Sequence, residues 1–500
     1  MNLSRRGFLK ATGGALATSL AFELSSQTTA FAAETEKEWK LEGTEERTNI
    51  CCYCAGGCGS LCSSRNGELI NLEGDPDHPI NEGGLCPKGA TMFQLRNIVD
   101  PATRQVVKNP DRVTKPMVRR PGASDWEAIT WDDAVKEIAR HVKDTRDATF
   151  VERREDGLTV NYTPAIASLG GSQENSEEQY LITKMMRSLG IVALDNQARV
   201  CHSSTVVGLA PTFGRGSMTS HWTDMANTDY ILHCGSNSCE SHPVSSLHLE
   251  RAHERGAKWI VVDPRYTRTA EQADIYCPLR SGTDIAFYGG MYNYIIENLI
   301  EPGLAEYNRT GQNPANYNFE YFVNYTNASY LLDPEFAFDA ATGLFSGWEE
   351  ESKTYNNHSW HYQTESTEEW DTSASGDYAW VKGEGVPEFT PPVFTKPKRD
   401  MTLQDPMCVY QQFKKHYERY DLDTVCSVCG MDRDTLELVY KTYSESGAPG
   451  KSGTILYALG QTQHSYGGQN TRAMSILQLL LNNIGIPGGG VNALRGEPNV

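Results

Sequence analysis

Two short runs of consecutive hydrophobic residues lie in the middle of the chain, and an amphipathic stretch separates them. Residues 229–234 (DYILHC) and 258–263 (KWIVVD) each predict a buried strand, because a strand covered on both faces is apolar along its length. Residues 243–255 predict a helix between them, with a proline at an early position and Gly256 after its end. This is a strand–helix–strand unit, and ligands resembling nucleotides bind at the carboxyl ends of such strands.

The pattern recurs towards the end of the chain. Residues 454–459 (TILYAL) predict another strand, and residues 470–483 predict an amphipathic helix after it. Near the N-terminus, residues 68–73 alternate between apolar and polar side chains, as a half-buried strand does, and residues 74–79 (GDPDHP) form a turn signal. The elements predict an α/β protein with Rossmann-like domains.

Residues 344–398 break this pattern. They are rich in Glu, Ser, Thr and aromatic residues and show no sustained period, and four tryptophans recur at intervals of about ten residues: Trp348, Trp360, Trp370 and Trp380. We interpret the stretch as a long surface insertion that the tryptophans pin to the body of the protein.

Length and charge narrow the classes of function. A chain of 500 residues is too long for one core and predicts several domains. Its net charge of −19 argues against nucleic-acid binding, which needs a basic surface.

The first 32 residues predict a targeting segment. Residues 4–10 (SRRGFLK) contain a twin-arginine signature, residues 11–22 are modestly apolar, and residues 30–32 (AFA) supply small residues for cleavage. The apolar run is too short to span a bilayer. The segment therefore predicts export of the folded protein to the periplasm by the twin-arginine pathway.

Four cysteines have the spacing of an iron–sulfur site. Cys51, Cys54 and Cys58 form C-x2-C-x3-C, and 27 residues separate Cys58 from Cys86. Three thiolates on a tight loop and a distant fourth predict a [4Fe-4S] cluster. A structural zinc site, the alternative, normally has two C-x2-C pairs. We interpret Cys52 and Cys62 as non-ligands, and the lone pair Cys426 and Cys429 as structural or free thiols.

A second candidate metal ligand is Cys201, which His202 follows directly and Arg199 precedes by two residues. Neighbouring Arg and His side chains lower the pKa of a thiol, and a soft thiolate suits a transition metal. Taken alone, a cysteine that precedes a histidine is more often a small, buried hydrophobic residue than a metal ligand.

Taken together, these motifs resemble the molybdopterin oxidoreductase family. The resemblance rests on the cysteine spacing with CPKG at 86–89, the twin-arginine signal and ARVCH at 198–202, and it extends from about Thr48 to Val500. Further stretches carry it: SLG at 168–170, APTFGRG at 210–216, DPR at 263–265, RSGTD at 280–284 and GGVNALRG at 489–496. Within the family, the chain resembles the N-terminal half of the catalytic subunit of a respiratory, periplasmic formate dehydrogenase.

The resemblance implies a domain plan and cofactors. A signal peptide at 1–32 precedes a [4Fe-4S] domain at 44–107 and a molybdopterin oxidoreductase α/β region at 108–500, which we expect to be truncated before a C-terminal dinucleotide-binding domain. The implied cofactors are a [4Fe-4S] cluster and a bis-molybdopterin guanine dinucleotide with Mo or W. The implied reaction is oxidation of formate to carbon dioxide.

The resemblance also implies roles for single residues. Cys201 would ligate the metal, where many relatives carry selenocysteine. Arg495 would bind the formate carboxylate, and His202 would act as acid or base or tune the site electrostatically. Lys88 would pass electrons between the pterin and the cluster. The residues implied to line one dinucleotide are Asn237, Glu240, Asp263, Arg265, Gly282 and Asp284.

Partners follow from the same resemblance, which implies an iron–sulfur beta subunit and allows a membrane cytochrome b subunit that would hold the enzyme at the membrane.

Two other interpretations stay open. One is a different periplasmic molybdoenzyme, such as nitrate reductase, and the other is an inactive, truncated cofactor-binding fragment.

Overall fold

A computed structural model describes residues 39–334, 348–351, 353–355, 362–368 and 394–497. The chain divides into two compact units, one formed by Met1–Arg47 with Cys62–Asn71 and the other by Thr48–Leu61 with Leu72–Val500. The expected signal peptide and the tryptophan side chains of the insertion lie outside the described residues. Every candidate ligand and substrate residue named above belongs to the second unit.

The first three strands form a sheet in the order β1-β2-β3, with β1 at Glu45–Ile50, β2 at Gly59–Arg65 and β3 at Glu68–Gly74. The strand predicted at 68–73 is therefore present. Asn66 and Gly67 connect β2 to β3 with φ angles of 52° and 77°. Positive φ at both central residues is the geometry of a tight hairpin turn, which Asn-Gly favours.

A second sheet combines Val151–Arg153 with β4 (Thr159–Gly170) and β5 (Ile191–Asn196), and β5 runs parallel to β4. Helix α1 (Trp131–Thr149) precedes it, and α2 (Ser176–Ser188) connects β4 to β5. Both helices have acidic residues in their first turn, where the positive end of the helix dipole stabilises negative charge.

The site is built on a sheet of five parallel strands in the order β8-β7-β6-β9-β10. Their bounds are Tyr230–Cys234 (β6), Lys258–Val262 (β7), Ile275–Cys277 (β8), Gly453–Tyr457 (β9) and Gly490–Ala493 (β10). The predicted strands at 229–234, 258–263 and 454–459 are confirmed as β6, β7 and β9. The strands β8 and β10, which are three and four residues long, were not predicted from the sequence.

Side chains of the central strands alternate between two hydrophobic cores, one on each face of the sheet. One core holds Leu232, Ile260, Val262, Ile455 and Tyr457. The other holds Ile231, Trp259, Val261 and Leu456. All nine are at most 1% exposed, which explains why these strands are apolar along their whole length.

Helices cover both faces. Helix α4 (Ser246–Glu254) packs on the second core through Leu249 and Ala252. Helices α5 (Asp284–Ile295) and α6 (Gly467–Leu480) pack on the first. The helices predicted at 243–255 and 470–483 are thus confirmed as α4 and α6, with shifted ends.

The remaining α-helices range from four to 17 residues in length. The other α-helices are Pro87–Ala90, Gln197–Phe213 (α3), Ser238–Ser241, Arg268–Glu271, Glu301–Thr310, Phe319–Tyr325, Val409–Tyr417, Leu422–Cys429, Arg433–Ser444 and Leu459–Thr462. In the insertion, Trp348–Glu349 pairs with Thr354–Tyr355 and Thr364–Glu368 pairs with Phe394–Pro397. Among the helices that the structure describes, none has the length and apolar character needed to cross a membrane.

The strand order reverses between β6 and β9, and the ligand-binding crevice of such a sheet lies outside the carboxyl ends of these two strands. From β6 the chain continues to β7 and β8 on one side and later to β9 and β10 on the other. Gly460 donates its amide to the Gly235 carbonyl at 3.1 Å across this junction. A Cβ on Gly460 would lie 2.6 Å from the Gly235 Cα, so only glycine allows the two loops to touch. Such a switch point is where α/β sheets bind ligands.

Candidate active site and cofactor cradle

Four thiols line one small cavity. Cys51, Cys54 and Cys58 are buried, Cys86 is half-buried, and neither Cys52 nor Cys62 belongs to the lining. The pKa of Cys58 is raised to about 12, first by burial and then by the neighbouring thiols of Cys54, Cys51 and Cys86. Charges influence each other in this way only at short range, so the four sulfurs lie close together.

The arrangement suits a cluster better than a single ion. No three His, Cys, Asp or Glu side chains in the described ranges converge as ligands of one metal ion. A zinc ion needs four ligands within about 2.3 Å of one point. A [4Fe-4S] cluster instead spreads four thiolates around its own volume, as a cavity lined by four sulfurs allows.

Cys201 lies in the first turns of helix α3 (Gln197–Phe213), directly before a break in the helix. The backbone of His202 has φ −119° and ψ 26°, which is not helical. Two side chains from the loop after β9 bind carbonyls at this break. The Thr462 hydroxyl donates to the Cys201 carbonyl at 3.2 Å, and the Gln463 amide donates to the Val200 carbonyl at 3.3 Å. The loop after β9 therefore holds the segment that presents Cys201.

The electrostatic surroundings of Cys201 differ from the expectation. The pKa of its thiol is raised, first by burial and then by the charge of Glu497, while Arg495 lowers it. The Arg199 side chain is 73% exposed and is not among these influences. The expected lowering by Arg199 and His202 is therefore wrong, because one points to solvent and the other is buried and neutral.

His202 is 3% exposed, and its pKa is lowered to about 4, first by burial and then by the charge of Arg495. Its Nδ1 lies 2.8 Å from the Thr205 hydroxyl, which also accepts from the Tyr457 hydroxyl at 3.0 Å. Its Nε2 is buried and makes no hydrogen bond to another residue that the structure describes, although the Leu494 backbone is near enough to raise the pKa. Burial therefore keeps the His202 ring neutral at neutral pH.

Arg495 follows β10, and its backbone is tied to the cluster loop. Its carbonyl accepts from the Ala55 amide at 3.0 Å and from His242 Nε2 at 2.6 Å. Its guanidinium makes no hydrogen bond or ion pair with any other residue of the described ranges, and burial lowers its pKa. An unpaired, half-buried guanidinium beside Cys201 is a ready site for a carboxylate.

Residues expected to line a dinucleotide follow β6 and β7. Asn237 accepts from the Thr269 hydroxyl at 3.0 Å and donates to the Glu240 carboxylate. Glu240 lies 3.8 Å from the Arg265 guanidinium, and Asp263 accepts from the Arg265 amide at 2.9 Å. Burial raises the pKa of Asp263. The structure thus brings these four predicted residues to one end of the sheet.

The loop after β8 contributes the other two. Asp284 is 3% exposed and accepts from the Gln461 amide at 2.7 Å. Burial raises the pKa of this carboxyl. Gly282 has φ +83°, and an added Cβ would lie 2.9 Å from the Tyr466 hydroxyl. These contacts join the loop after β8 to residues that follow β9.

Lys88 connects the cysteine cavity to this crevice. Its Nζ donates to the Ser241 carbonyl at 2.9 Å and the Glu240 carbonyl at 3.4 Å. Its charge also lowers the pKa of the Cys54 thiol, although burial dominates there and the net shift is upward. Lys88 therefore lies between the candidate cluster ligands and the candidate dinucleotide loop.

Three residues of the site were not predicted from the sequence: His242, Glu497 and Ser172. His242 lines the cysteine cavity and binds the Arg495 carbonyl. Glu497 is 5% exposed, and its Oε1 accepts from the Ser172 hydroxyl at 2.5 Å. No local pattern marks these residues, because their partners are more than 250 positions away. The one available signal was that Glu497 lies two residues after Arg495.

Comparison with known proteins identifies the family of this chain and its cofactors. The family model for the molybdopterin oxidoreductase Fe4S4 domain matches residues 44–97, and the model for molybdopterin oxidoreductase matches residues 112–499. The chain belongs to the molybdopterin oxidoreductase family. Its cofactors are accordingly a molybdopterin and a [4Fe-4S] cluster.

Relatives with curated names support the same grouping. The chain is 42% identical to the formate dehydrogenase subunit alpha of Megalodesulfovibrio gigas and 39% identical to the formate dehydrogenase-O major subunit of Escherichia coli. All of this chain is covered in both cases, but only 44% of each relative. The chain thus spans less than half the length of these two relatives.

A solved structure supports the fold alone. Acetylene hydratase from Pelobacter acetylenicus matches with a TM-score of 0.56 at 19% identity, over 89% of this chain and 45% of that one. The predicted class, an α/β protein with Rossmann-like domains behind an iron–sulfur domain, is confirmed.

The described residues fit both family cofactors. The four-thiol cavity suits the cluster by donor chemistry. The crevice at the carboxyl ends of β6 and β9, where Gly235 and Gly460 touch, suits a dinucleotide.

Proposed function

We propose that the protein containing this chain oxidises formate to carbon dioxide, releasing two electrons and one proton. The observation that carries the proposal is the Arg495 guanidinium, which is unpaired within the described ranges and whose charge acts on both Cys201 and His202. The curated relatives at about 40% identity are formate dehydrogenase subunits, which supports the same substrate.

Each residue of the site has a distinct role in this proposal. Arg495 binds the formate carboxylate through its planar fork, which matches two oxygens at once. Cys201 is the protein ligand of the Mo or W centre, and that centre, when bound, supplies the two-electron acceptor. His202 stays neutral and offers Nε2 for proton transfer, since Thr205 occupies Nδ1.

The cluster and crevice residues serve electron transfer and cofactor binding. Cys51, Cys54, Cys58 and Cys86 hold the cluster, and Lys88 lies on the route to it. The residues proposed to bind one dinucleotide of a bis-molybdopterin guanine dinucleotide are Asn237, Glu240, Asp263, Arg265, Gly282 and Asp284. Electrons would leave through an iron–sulfur beta subunit, with which a membrane cytochrome b subunit could associate.

Arg495→Lys tests the substrate role. Lysine keeps the positive charge but loses the bidentate fork, so we expect formate affinity to fall by about ten- to a hundredfold, equivalent to roughly 1.5–3 kcal/mol. Metal and iron contents should stay at the parent level. Arg199→Lys is the matched control, because Arg199 is exposed on the helix that carries Cys201. A parent-like KM for formate in Arg495→Lys would refute the assignment.

Cys201→Ser tests the metal-ligand role separately. A hard hydroxyl replaces a soft thiolate, so we expect turnover to be lost while the iron–sulfur signal in electron paramagnetic resonance persists. Turnover at the parent rate would contradict the proposed ligand.

We also propose that the protein acts in the periplasm after twin-arginine export, on the basis of Arg5 and Arg6. Replacing both by lysine should retain the protein in the cytoplasm, as measured by cell fractionation. Unchanged periplasmic activity would count against this route.

A further inference from the structure

A buried carboxylate lies beside the proposed formate site, and the proposed chemistry does not use it. Glu497 is 5% exposed, and Ser172, 325 residues away in the chain, donates to its Oε1 at 2.5 Å. The charge of Glu497 acts on Cys201, His202 and Arg495. A buried carboxylate is costly unless its charge is compensated, so its place in this site calls for a function.

Glu497 and Arg495 balance each other electrostatically. After burial, Glu497 is the largest influence on the Arg495 pKa, and it favours the charged guanidinium. No ion pair within 4.0 Å joins Arg495 to a carboxylate in the part of the chain that the structure describes. The guanidinium therefore stays open to an incoming anion while a fixed negative charge stands nearby.

We propose that Glu497 is a charge filter that makes the anion site selective for monoanions. The proposal rests on the proposed function, because it takes Arg495 as the anion-binding group. An anion bound at Arg495 is repelled by Glu497, and the Coulomb energy is proportional to the charge of the anion. A dianion is thus repelled twice as strongly as a monoanion. The Ser172 hydroxyl holds the carboxylate in place, so that it cannot rotate away from the anion.

Binding calorimetry on the oxidised, cofactor-loaded holoenzyme tests this filter without turnover. Acetate serves as the monoanion, because its carboxyl carbon carries no hydrogen to transfer, and sulfate serves as the dianion. In Glu497→Gln we expect acetate to bind roughly fivefold more tightly and sulfate roughly 25-fold more tightly, since the second factor is the square of the first. Glu177→Gln, the same change on the exposed first turn of α2, should alter neither affinity.

Two further variants keep the test decisive. Glu497→Asp retains the charge, so it should discriminate against sulfate as the parent does. Ser172→Ala keeps the Glu497 carboxylate but removes the hydroxyl that holds it in place. If Glu497→Gln loses its iron, Ser172→Ala provides the test, with gains of roughly twofold for acetate and fourfold for sulfate. Equal gains for the two anions, or weaker binding in Glu497→Gln, would overturn the charge filter.

Arg495→Lys separates the two proposals. If acetate affinity is unchanged in Arg495→Lys, the anion site itself is wrong. If acetate affinity falls there but Glu497→Gln binds both anions as the parent does, only the charge filter is wrong.

Discussion

At the scale of single residues, the four cluster cysteines are held in different ways. Cys51, Cys54 and Cys58 lie in one turn, which the Cys51 amide closes by donating to the Cys58 carbonyl at 2.8 Å. Cys86 comes from another part of the chain and stands directly before the short helix Pro87–Ala90. Cys86 therefore completes the set of four thiols from outside this turn.

Cys86→Ser should remove the cluster, because three thiolates leave one iron without its protein ligand. We expect loss of iron, of acid-labile sulfide and of the paramagnetic signal of the reduced cluster. Cys52→Ser is the matched control, since Cys52 neighbours Cys51 but does not line the cavity. A normal cluster signal in Cys86→Ser would refute the ligand set.

At the scale of elements, the cofactor crevice depends on the contact between the loops after β6 and β9. Gly235 and Gly460 allow these backbones to touch, and the residues after Gly460 also hold the break in α3 beside Cys201. A displacement of the second loop would therefore disturb both the crevice and Cys201.

Gly460→Ala should impair cofactor loading. Its Cβ would lie 2.6 Å from the Gly235 Cα, and neither backbone can move without opening the crevice. We expect a loss of roughly 1–3 kcal/mol in the free energy of unfolding, with molybdopterin content reduced and cluster iron retained. Gly468→Ala is the control, because an added Cβ there meets no atom closer than 3.5 Å. Parent-like molybdopterin content in Gly460→Ala would show that the contact is dispensable.

At the scale of the whole molecule, several histidines are buried in the neutral form. Burial is the largest cause that lowers the pKa of His202 and of His242 to about 4 and that of His233 to about 3. His233 accepts from the Trp259 indole at 3.0 Å and pairs with the Ser238 hydroxyl at 3.1 Å, so its neutral ring is satisfied. Protonation at these positions favours the unfolded chain.

The protein should therefore become less stable as the pH falls from about 6.5 towards 4. Each of these histidines has a lower pKa in the folded state than the value of about 6.5 in the unfolded chain. Their contribution is fully present above pH 6.5 and is lost as the pH falls towards 4, by at most about 1.4 kcal/mol per pH unit and histidine. Thermal unfolding between pH 7 and pH 4.5 measures this loss.

Variants assign the loss to the buried histidines. His233→Gln should make the decrease in Tm with acidity shallower, whereas the exposed His141→Gln should leave it unchanged. An identical pH dependence in the parent and His233→Gln would contradict the linkage.

The amino-acid sequence by itself determined the features that are local in the chain. The apolar runs predicted β6, β7 and β9, because burial on both faces requires continuous hydrophobicity. The cysteine spacing predicted the iron–sulfur domain, because ligands on one tight turn must be close in sequence. The short strands β8 and β10 were not predicted, because three or four residues are too few to show a hydrophobic pattern.

Only the tertiary structure decided the electrostatics of the site. The order of the strands brings Arg495 and Glu497, at the end of the chain, beside Cys201 and Ser172. Burial keeps His202 neutral and raises the pKa of Cys201, and a carboxylate far away in the sequence raises that pKa further. A pKa depends on solvent exposure and on charges in three-dimensional contact, and neither is a property of neighbouring positions in a sequence.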